Sequence, residues 1–558
     1  MYEKLVESWL TSVNELGYQI PFCEVLVSEG YTILHVSRHG RGEHGKDVIA
    51  RRADQALCTF QLKGGDLSLN GWRDIRGEVE ELVRLPVRLP GVREDEPHVP
   101  HLVTNGEIRG DALESVKQFA DDWERKGSAR LEVWMRGTLL KKFVKAQGNY
   151  LPAAVEELRN FVDIYAGPFD TPFPREKLAR VLEVISGDRT VGLSKTNLQR
   201  AIASLVVIVS YLIEQFARAD NHLAAAEGWV MTAANILRIA ERECLSPSAY
   251  VPSLNLVRDA FERSLDSLAD ETLGAEHFVL SRGGLADPML YGVRATQVLG
   301  WLCYWVIDRR WRKGHSVNIR TVLNVIRREG AAMSWVGEAD WPLRMCLAFF
   351  LDREGYASDA ERLLQGWASS ITAASRPPAR PGVPSPYWPQ EKVLRLRYGL
   401  LPPTEQEHFG HYVYTLEQCL DMLVRRLRRQ SVASLWPDAS RLILCNFVPG
   451  SHSAYFTWND DSGTLHTVSP VRTARWQDWR QRTAVVDVSK VPITLVRHSE
   501  WALPFLIVYP HRANVVMSAF VDALNTGRAA VHAPNETEAP VSAGRKRKPL
   551  QESSVAPK

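Results

Sequence analysis

The chain has 558 residues, more than a single hydrophobic core holds, so roughly two to four domains are expected. Hydrophobic residues make up 45% and charged residues 24%, the balance of a globular protein and not of a disordered or collagen-like one. Net charge is +3, and residues 527–558 alone carry six Lys/Arg against three Asp/Glu, so the rest is neutral and bulk charge offers no footing for nucleic-acid binding.

The opening segment MYEKLVESWL is charged where a signal peptide would be apolar. Its apolar residues Leu5, Val6, Trp9, Leu10, Val13 and Leu16 share one helical face, so residues 1–17 read as a helix. YTILHVS, DVIARR and ALCTFQLK are short β-branched or alternating runs and read as strands. WRDIRGEVEELVRLP returns to helical spacing and stops at Pro86. HLVTN is a strand, ALESVKQFADDWERKG a helix ended by Gly127, and RLEVWM a strand. The order α-β-β-β-α-β-α-β over residues 1–148 predicts a mixed sheet with helices on its faces.

Strand signals then vanish over 149–375. AAVEELRNFVDIY, LQRAIASLVVIVSYLIEQFARA, EGWVMTAANILRIAERE, TQVLGWLCYWVIDRRW, and the pair WPLRMCLAFFLDREG and DAERLLQGWASSI read as helices, the last two as a tetratricopeptide-like hairpin. The apolar run AIASLVVIVSYLI, 201–213, is bounded by Arg200 and Glu214 and is too short to span a bilayer, so a buried helix and no membrane contact are expected. Residues 376–392 are Pro-rich and read as a linker. Over 393–526 a basic helix, LEQCLDMLVRRLRRQ, precedes the strand-like runs RLILCNFV, SAYFTWND, GTLHTVS, AVVDVS and FLIVYP and a closing helix, ANVVMSAFVDAL, an α+β pattern. The tail, 527–558, contains GRKRKP and reads as disordered and basic. Seven cysteines lie singly with no C-x-x-C pair, which favours free thiols in a reducing, cytoplasmic compartment over a disulfide framework or a zinc site.

GRGEHG, Gly40 to Gly45, matches G-x-G-x-x-G. A dinucleotide fold needs those glycines to open a helix, because the phosphates sit on its N-terminus. Here the strand KDVIARR follows at once. A protein-kinase loop does lie between strands, but H-R-D and D-F-G are both absent. The stronger pattern is downstream. Asp47 begins one strand, and Gln61 and Lys63 stand two apart on the next, so both project to one face. Antiparallel pairing would bring a carboxylate, an amide and an ammonium together, with the glycines allowing a tight approach.

The run GKDVIA followed by FQLK resembles the PD-(D/E)xK nuclease superfamily, in particular its Mrr-like restriction endonuclease branch, where Gln stands in for the usual acid. YEKLV, WL and GY within residues 2–18 are similar to that branch's first helix, and Glu3 falls where its Glu stands, with Glu7 one turn on. The resemblance implies a restriction-endonuclease-like first domain within a multidomain chain that acts as a metal-dependent DNA endonuclease of the bacterial restriction or phage-defence kind. It implies catalytic Asp47, Gln61, Lys63 and Glu3. It also implies a Mg2+ or Mn2+ ion held by Asp47, Gln61, the Leu62 backbone carbonyl and Glu3. Many such nucleases use two active sites, so a homo-oligomer is a further implication. The helical region would then meet a protein partner or trigger. The other readings are a catalytically silent nucleic-acid-binding adaptor and a protein-interaction scaffold built on the helical region with its share of the 17 Trp. His39 and His44 flank the site as further candidate bases; Glu405, His408 and His411 in EHFGH form a weak zinc pattern; and LVRRLRRQ and IDRRWRKGH are basic clusters able to meet phosphate or to be solvated faces.

Overall fold

Strands β1 (Thr32–Val36), β2 (Val48–Arg51), β3 (Leu57–Lys63), β4 (His98–Thr104) and β5 (Glu132–Trp134) form where the β-branched and alternating runs predict them. They make one sheet in the order β1-β2-β3-β4-β5. The first three strands are antiparallel neighbours; β3–β4 and β4–β5 are parallel. Helix α3 (Leu69–Arg84) is the crossover from β3 to β4, and α4 (Asp111–Arg125) the crossover from β4 to β5. The structure is a computed structural model and describes residues 2–37, 45–147, 155–275, 291–333, 337–375, 383–384, 386–388, 390–401, 412–426, 429–457, 463–468 and 488–526.

The two faces of the sheet bury different partners. Cys58, Phe60, Leu62 and Val103 join a core with α1 (Tyr2–Ser12), α2 (Glu15–Ser28) and α5 (Arg136–Gln147). Leu102, from the other face, packs with Trp72, Val79 and Leu82 of α3 and Phe119 of α4. The strand period of two therefore puts Gln61 and Lys63, which alternate with Phe60 and Leu62, on the α3 side.

The N-terminal helix predicted over 1–17 is two helices. The first ends at Ser12, and Asn14 caps the second, its Oδ1 accepting from the Gly17 amide at 2.8 Å. Helix α2 had no sequence signature because it has no polar face: Tyr18 through Leu26 are all buried, and Pro21 lies inside it. It lies between the sheet and α8 (Lys195–Arg218), so every side meets protein.

Between the sheet and α8 come α6 (Val155–Tyr165) and α7 (Arg175–Ser186). Beyond α8 the chain runs through α9 (His222–Arg242), α10 (Pro247–Gly274), α11 (Tyr291–Val306), α12 (Ile319–Glu329), α13 (Trp341–Arg353) and α14 (Ala357–Ala374). Helix α8 holds the apolar 201–213 run, and every residue of that run is buried. It is the one helix among the described residues long and apolar enough to cross a membrane by length and composition. The expected hairpin exists as α13 and α14, joined by a Trp341–Trp367 ring contact at 4.9 Å. After α15 (Gln390–Arg397) come β6 (Tyr412–Val413), α16 (Leu416–Arg425), α17 (Arg429–Ala439), β7 (Ile443–Pro449) and β8 (Gly463–Val468), with the strands in a three-stranded sheet. Helices α18 (Ile493–Arg497), α19 (Ala502–Val508) and α20 (Val515–Thr526) close the described chain.

Two strand predictions in this region are overturned. The SAYF part of SAYFTWND lies in a 3-10 turn, His452–Phe456, while Trp458 to Asp460 are outside the described residues, and FLIVYP falls mostly in helix α19. Ala502 through Val508 are all buried, so an unbroken apolar run had no face to reveal its period. Of AVVDVS, only Val488 and Ser489 are described, in a 3-10 turn; the rest, like the 527–558 tail, lies outside the described residues.

The largest core among the described residues runs from Val6 to Val521, beside three smaller clusters. The Trp9 ring of α1 packs tilted against Tyr211 of α8 at 4.5 Å, so the region expected to end near residue 148 is packed onto the helices that follow. Glu24 of α2 is fully buried at this junction, where Ser253 of α10 donates to its carboxylate at 2.9 Å. Burial pushes Glu24 up to about 8, against a weaker opposing effect of that hydrogen bond. Between the usual range near 4.5 and about 8, the folded chain holds a proton that the unfolded chain has lost. Its contribution is therefore complete at low pH and is lost as pH rises toward 8. Glu338 and Asp421, both raised to about 7, act in the same direction. In Glu24→Gln, thermal unfolding followed from pH 5 to 9 should lose on the order of a few kcal/mol of the wild-type decline. An unchanged slope would rule out this assignment.

Candidate active site

Asp47 immediately precedes β2, opposite Gln61 on β3. Its amide donates to the Phe60 carbonyl at 2.8 Å, and its own carbonyl accepts from Ser37 at 2.7 Å. There the β2–β3 ladder ends, and the Asp47 side chain takes over: Oδ2 accepts from the Leu62 amide at 2.7 Å and from Gln61 Nε2 at 3.2 Å. The Leu62 carbonyl faces the same edge as its amide, because both groups of a strand residue point to one neighbour in an antiparallel pair. Lys63, one residue on, bonds the opposite way: its carbonyl accepts from Asn105 N at 3.4 Å and from the Tyr18 hydroxyl at 2.9 Å. The expected convergence of Asp47, Gln61 and Lys63 is thus present, at the open end of the antiparallel pair.

A fourth member came without a sequence signal. Glu78 of α3 binds Lys63 Nζ through Oε2 at 2.7 Å, and the same oxygen lies 3.4 Å from Gln61 Nε2. Lys63 is mostly buried, while Glu78 is half exposed at the rim. Glu78 is one of many acids on a charged helix, and only the crossover geometry singles it out. Two more residues join from α2. Tyr18 of α2 takes the Lys63 amide at 3.1 Å as well as giving to its carbonyl, which fixes the backbone carrying the ammonium. Burial, with Glu15 nearby, raises the Tyr18 phenol well above its ordinary range, so it remains a donor. Glu15 itself accepts from the Gly64 amide at 3.1 Å. Lys46 is buried under α3, donates to the Glu81 carbonyl at 3.3 Å, and is pushed down by burial to about 8.

The glycine question has a partial answer. Gly45 has φ +67°, and a Cβ built there would stand 2.5 Å from the Glu78 carbonyl oxygen and 2.8 Å from Gln61 Oε1. Helix α3 runs directly over it, so this glycine lets the helix approach the strand end. Gly40 and Gly42, with His39 and His44, lie outside the described residues, as do Glu405, His408 and His411.

Glu3 does not belong to this cluster. It is exposed in the first turn of α1. The end of α1 that reaches the sheet is the other one, where the Leu10 and Val13 carbonyls each accept from Asn105 Nδ2 at 2.7 Å. Glu3 lies about 10 Å back along the helix from Leu10. Glu7 is also exposed. The acids that flank the strand ends are Glu15 and Glu78. Five cations of the basic clusters form internal pairs, while Arg428 lies outside the described residues. Arg309 meets Asp266 and Glu262, Arg310 meets Glu354, and Lys313 meets Glu262 and Asp308. Arg425 pairs with Asp421, and Arg426 with Asp352 and Asp522.

The donor set suits a hard cation and not zinc. Among the described residues there is no group of three or more His, Cys, Asp or Glu able to hold a metal. What the site offers is the Asp47 and Glu78 carboxylates, the Leu62 carbonyl and the Gln61 amide, all oxygens of the kind magnesium takes. Gln61 Oε1 is buried and has no hydrogen-bond partner, a cost the fold carries unless something binds there. Its amide nitrogen points at both carboxylates, where a cation would also be favoured. Turning the amide over would give that place three oxygens.

No protein-family model, curated protein or solved structure matches this chain.

Proposed function

We propose that the chain is a metal-dependent DNA endonuclease of the PD-(D/E)xK type, similar to Mrr-like restriction endonucleases and serving a restriction or phage-defence role. The observation that carries this reading is Asp47 Oδ2 meeting the Leu62 amide and the Gln61 side chain at the split end of β2 and β3, with Lys63 beside them. The mixed sheet order supports it. A divalent cation held by Asp47, Glu78, Leu62 O and Gln61 Oε1 would supply Lewis acidity at the scissile phosphate. Lys63 places its ammonium where negative charge builds on the phosphorane as water attacks phosphorus and the P–O bond to the leaving sugar breaks. Glu78 holds the ammonium in place, and Tyr18 holds the backbone beneath it. Glu78 also supplies the charge that the neutral Gln61 lacks.

Plasmid and linear DNA incubated with magnesium or manganese, using wild type and Lys63→Ala, test the proposal. Cleavage by the wild type, reduced at least about 100-fold in the variant, is expected. Binding without cleavage would replace it with an adaptor role, and cleavage at equal rates would place the chemistry elsewhere.

A further inference from the structure

A second site lies in the helical array. A cavity of about 360 Å3 opens between the start of α7, α9, α11, the start of α13, and Trp388. That volume is within the range of small-molecule sites. Its wall includes Phe173, Trp301, Leu343 and Trp388. Trp301 is fully buried, and its indole N–H has no hydrogen-bond partner.

Two guanidinium groups line the same space. Arg175 holds Glu227 of α9 side-on, with Nε to Oε2 at 3.0 Å. Arg294 of α11 is 5% exposed. The carboxylates acting on it are Glu271 and Glu227, of which only Glu227 lines the cavity. Desolvation outweighs both and pushes Arg294 down to about 10. Across the whole lining, Arg175, Lys177 and Arg294 stand against Glu176 and Glu227, one positive charge in excess, which favours an anion entering from water. Gln297, also in the lining, donates to Gln390 Oε1 at 2.8 Å, and Gln390 in turn donates to the buried Asp340. The Gln297 oxygen remains to accept from a ligand.

We propose that this cavity binds a nucleoside monophosphate, with the phosphate on Arg294 and Arg175 and the base against the Trp301 and Trp388 wall. A cation pair supplies the anion's partners, two indoles supply the stacking surface, and the Gln297 amide reads a donor on the base. The site is separate from Asp47 and stands or falls without the nuclease reading.

Calorimetric titration of the full chain tests it. The adenosine, guanosine, cytidine and uridine 5′-monophosphates are titrated singly, with the matching nucleosides and inorganic phosphate as separate arms. At least one monophosphate should bind with Kd below about 1 mM, and its nucleoside and phosphate each at least about tenfold more weakly. Arg294→Met should weaken that binding at least about tenfold. Gln297→Trp, which fills the cavity from a half-buried position, should remove it, and circular dichroism confirms the fold of each. Should Arg294→Met fail to fold, Gln297→Trp decides. Failure of all four monophosphates, or binding unchanged in Gln297→Trp, overturns the proposal. A nucleoside that binds as tightly as its monophosphate overturns the role of the arginines.

Discussion

Asp47→Asn should lower magnesium-dependent DNA cleavage by about 10³ or more and leave the fold intact. The side chain does two jobs, and the substitution separates them. Its Oδ2 accepts from the Leu62 amide at 2.7 Å, which closes the end of the β2–β3 ladder. An asparagine oxygen can still accept there, so the change from charged to neutral acceptor costs about 1 kcal/mol. The negative charge that would draw a cation into the site is gone. Asp47→Ala behaves differently: it orphans a buried Leu62 amide and should cost about 1–3 kcal/mol in addition to the activity. Cleavage rate and thermal unfolding, measured on both variants, check the separation. An Asn variant that cuts at the wild-type rate ends the case for this site.

Gly45→Ala should be nearly as damaging to cleavage and far more damaging to stability, by about 2–4 kcal/mol. Two costs add. The residue stands at φ +67°, where a side chain is strained by about 1–2 kcal/mol. Its Cβ would also press on the Glu78 carbonyl at 2.5 Å and on Gln61 Oε1 at 2.8 Å. The strand side cannot yield easily, because Asp47 is bonded through both its amide and its carbonyl. Relief would have to move α3, which carries Glu78 away from Lys63. Since the clash is with backbone, removing the Glu78 side chain should not rescue the variant. Gly91→Ala is the control: φ is +86° there, but nothing lies within 4 Å of the added carbon, so only the conformational cost applies. Equal losses at the two positions in denaturant unfolding would show that the contact with α3 does not matter.

Most of the first unit was legible in the residues because it alternates. Each of its strands shows a period of two or a β-branched run, and α3 and α4 show a helical face bounded by Pro86 and Gly127. Asp47, Gln61 and Lys63 could be named because two residues apart on a strand means one face. Two elements buried on all sides escaped. Helix α2 and FLIVYP show no polar face to set a period, so the first went unassigned and the second was taken for a strand.

Length, composition and strand alternation by themselves determined the sheet, its crossover helices, and three of the side chains at the site. Only the tertiary structure decided which acids stand beside them. It brings Glu78 in through the α3 crossover and Glu15 in through α2, and it leaves Glu3 exposed in the first turn of α1. Tertiary packing also decided that Arg309 and Arg426 stand in internal ion pairs, and that the buried helix α8 is the one joining the sheet to the array. The physical reason is range. Periodicity records the direction a side chain takes from its own backbone, while the identity of the group it meets depends on chain segments tens to hundreds of residues away.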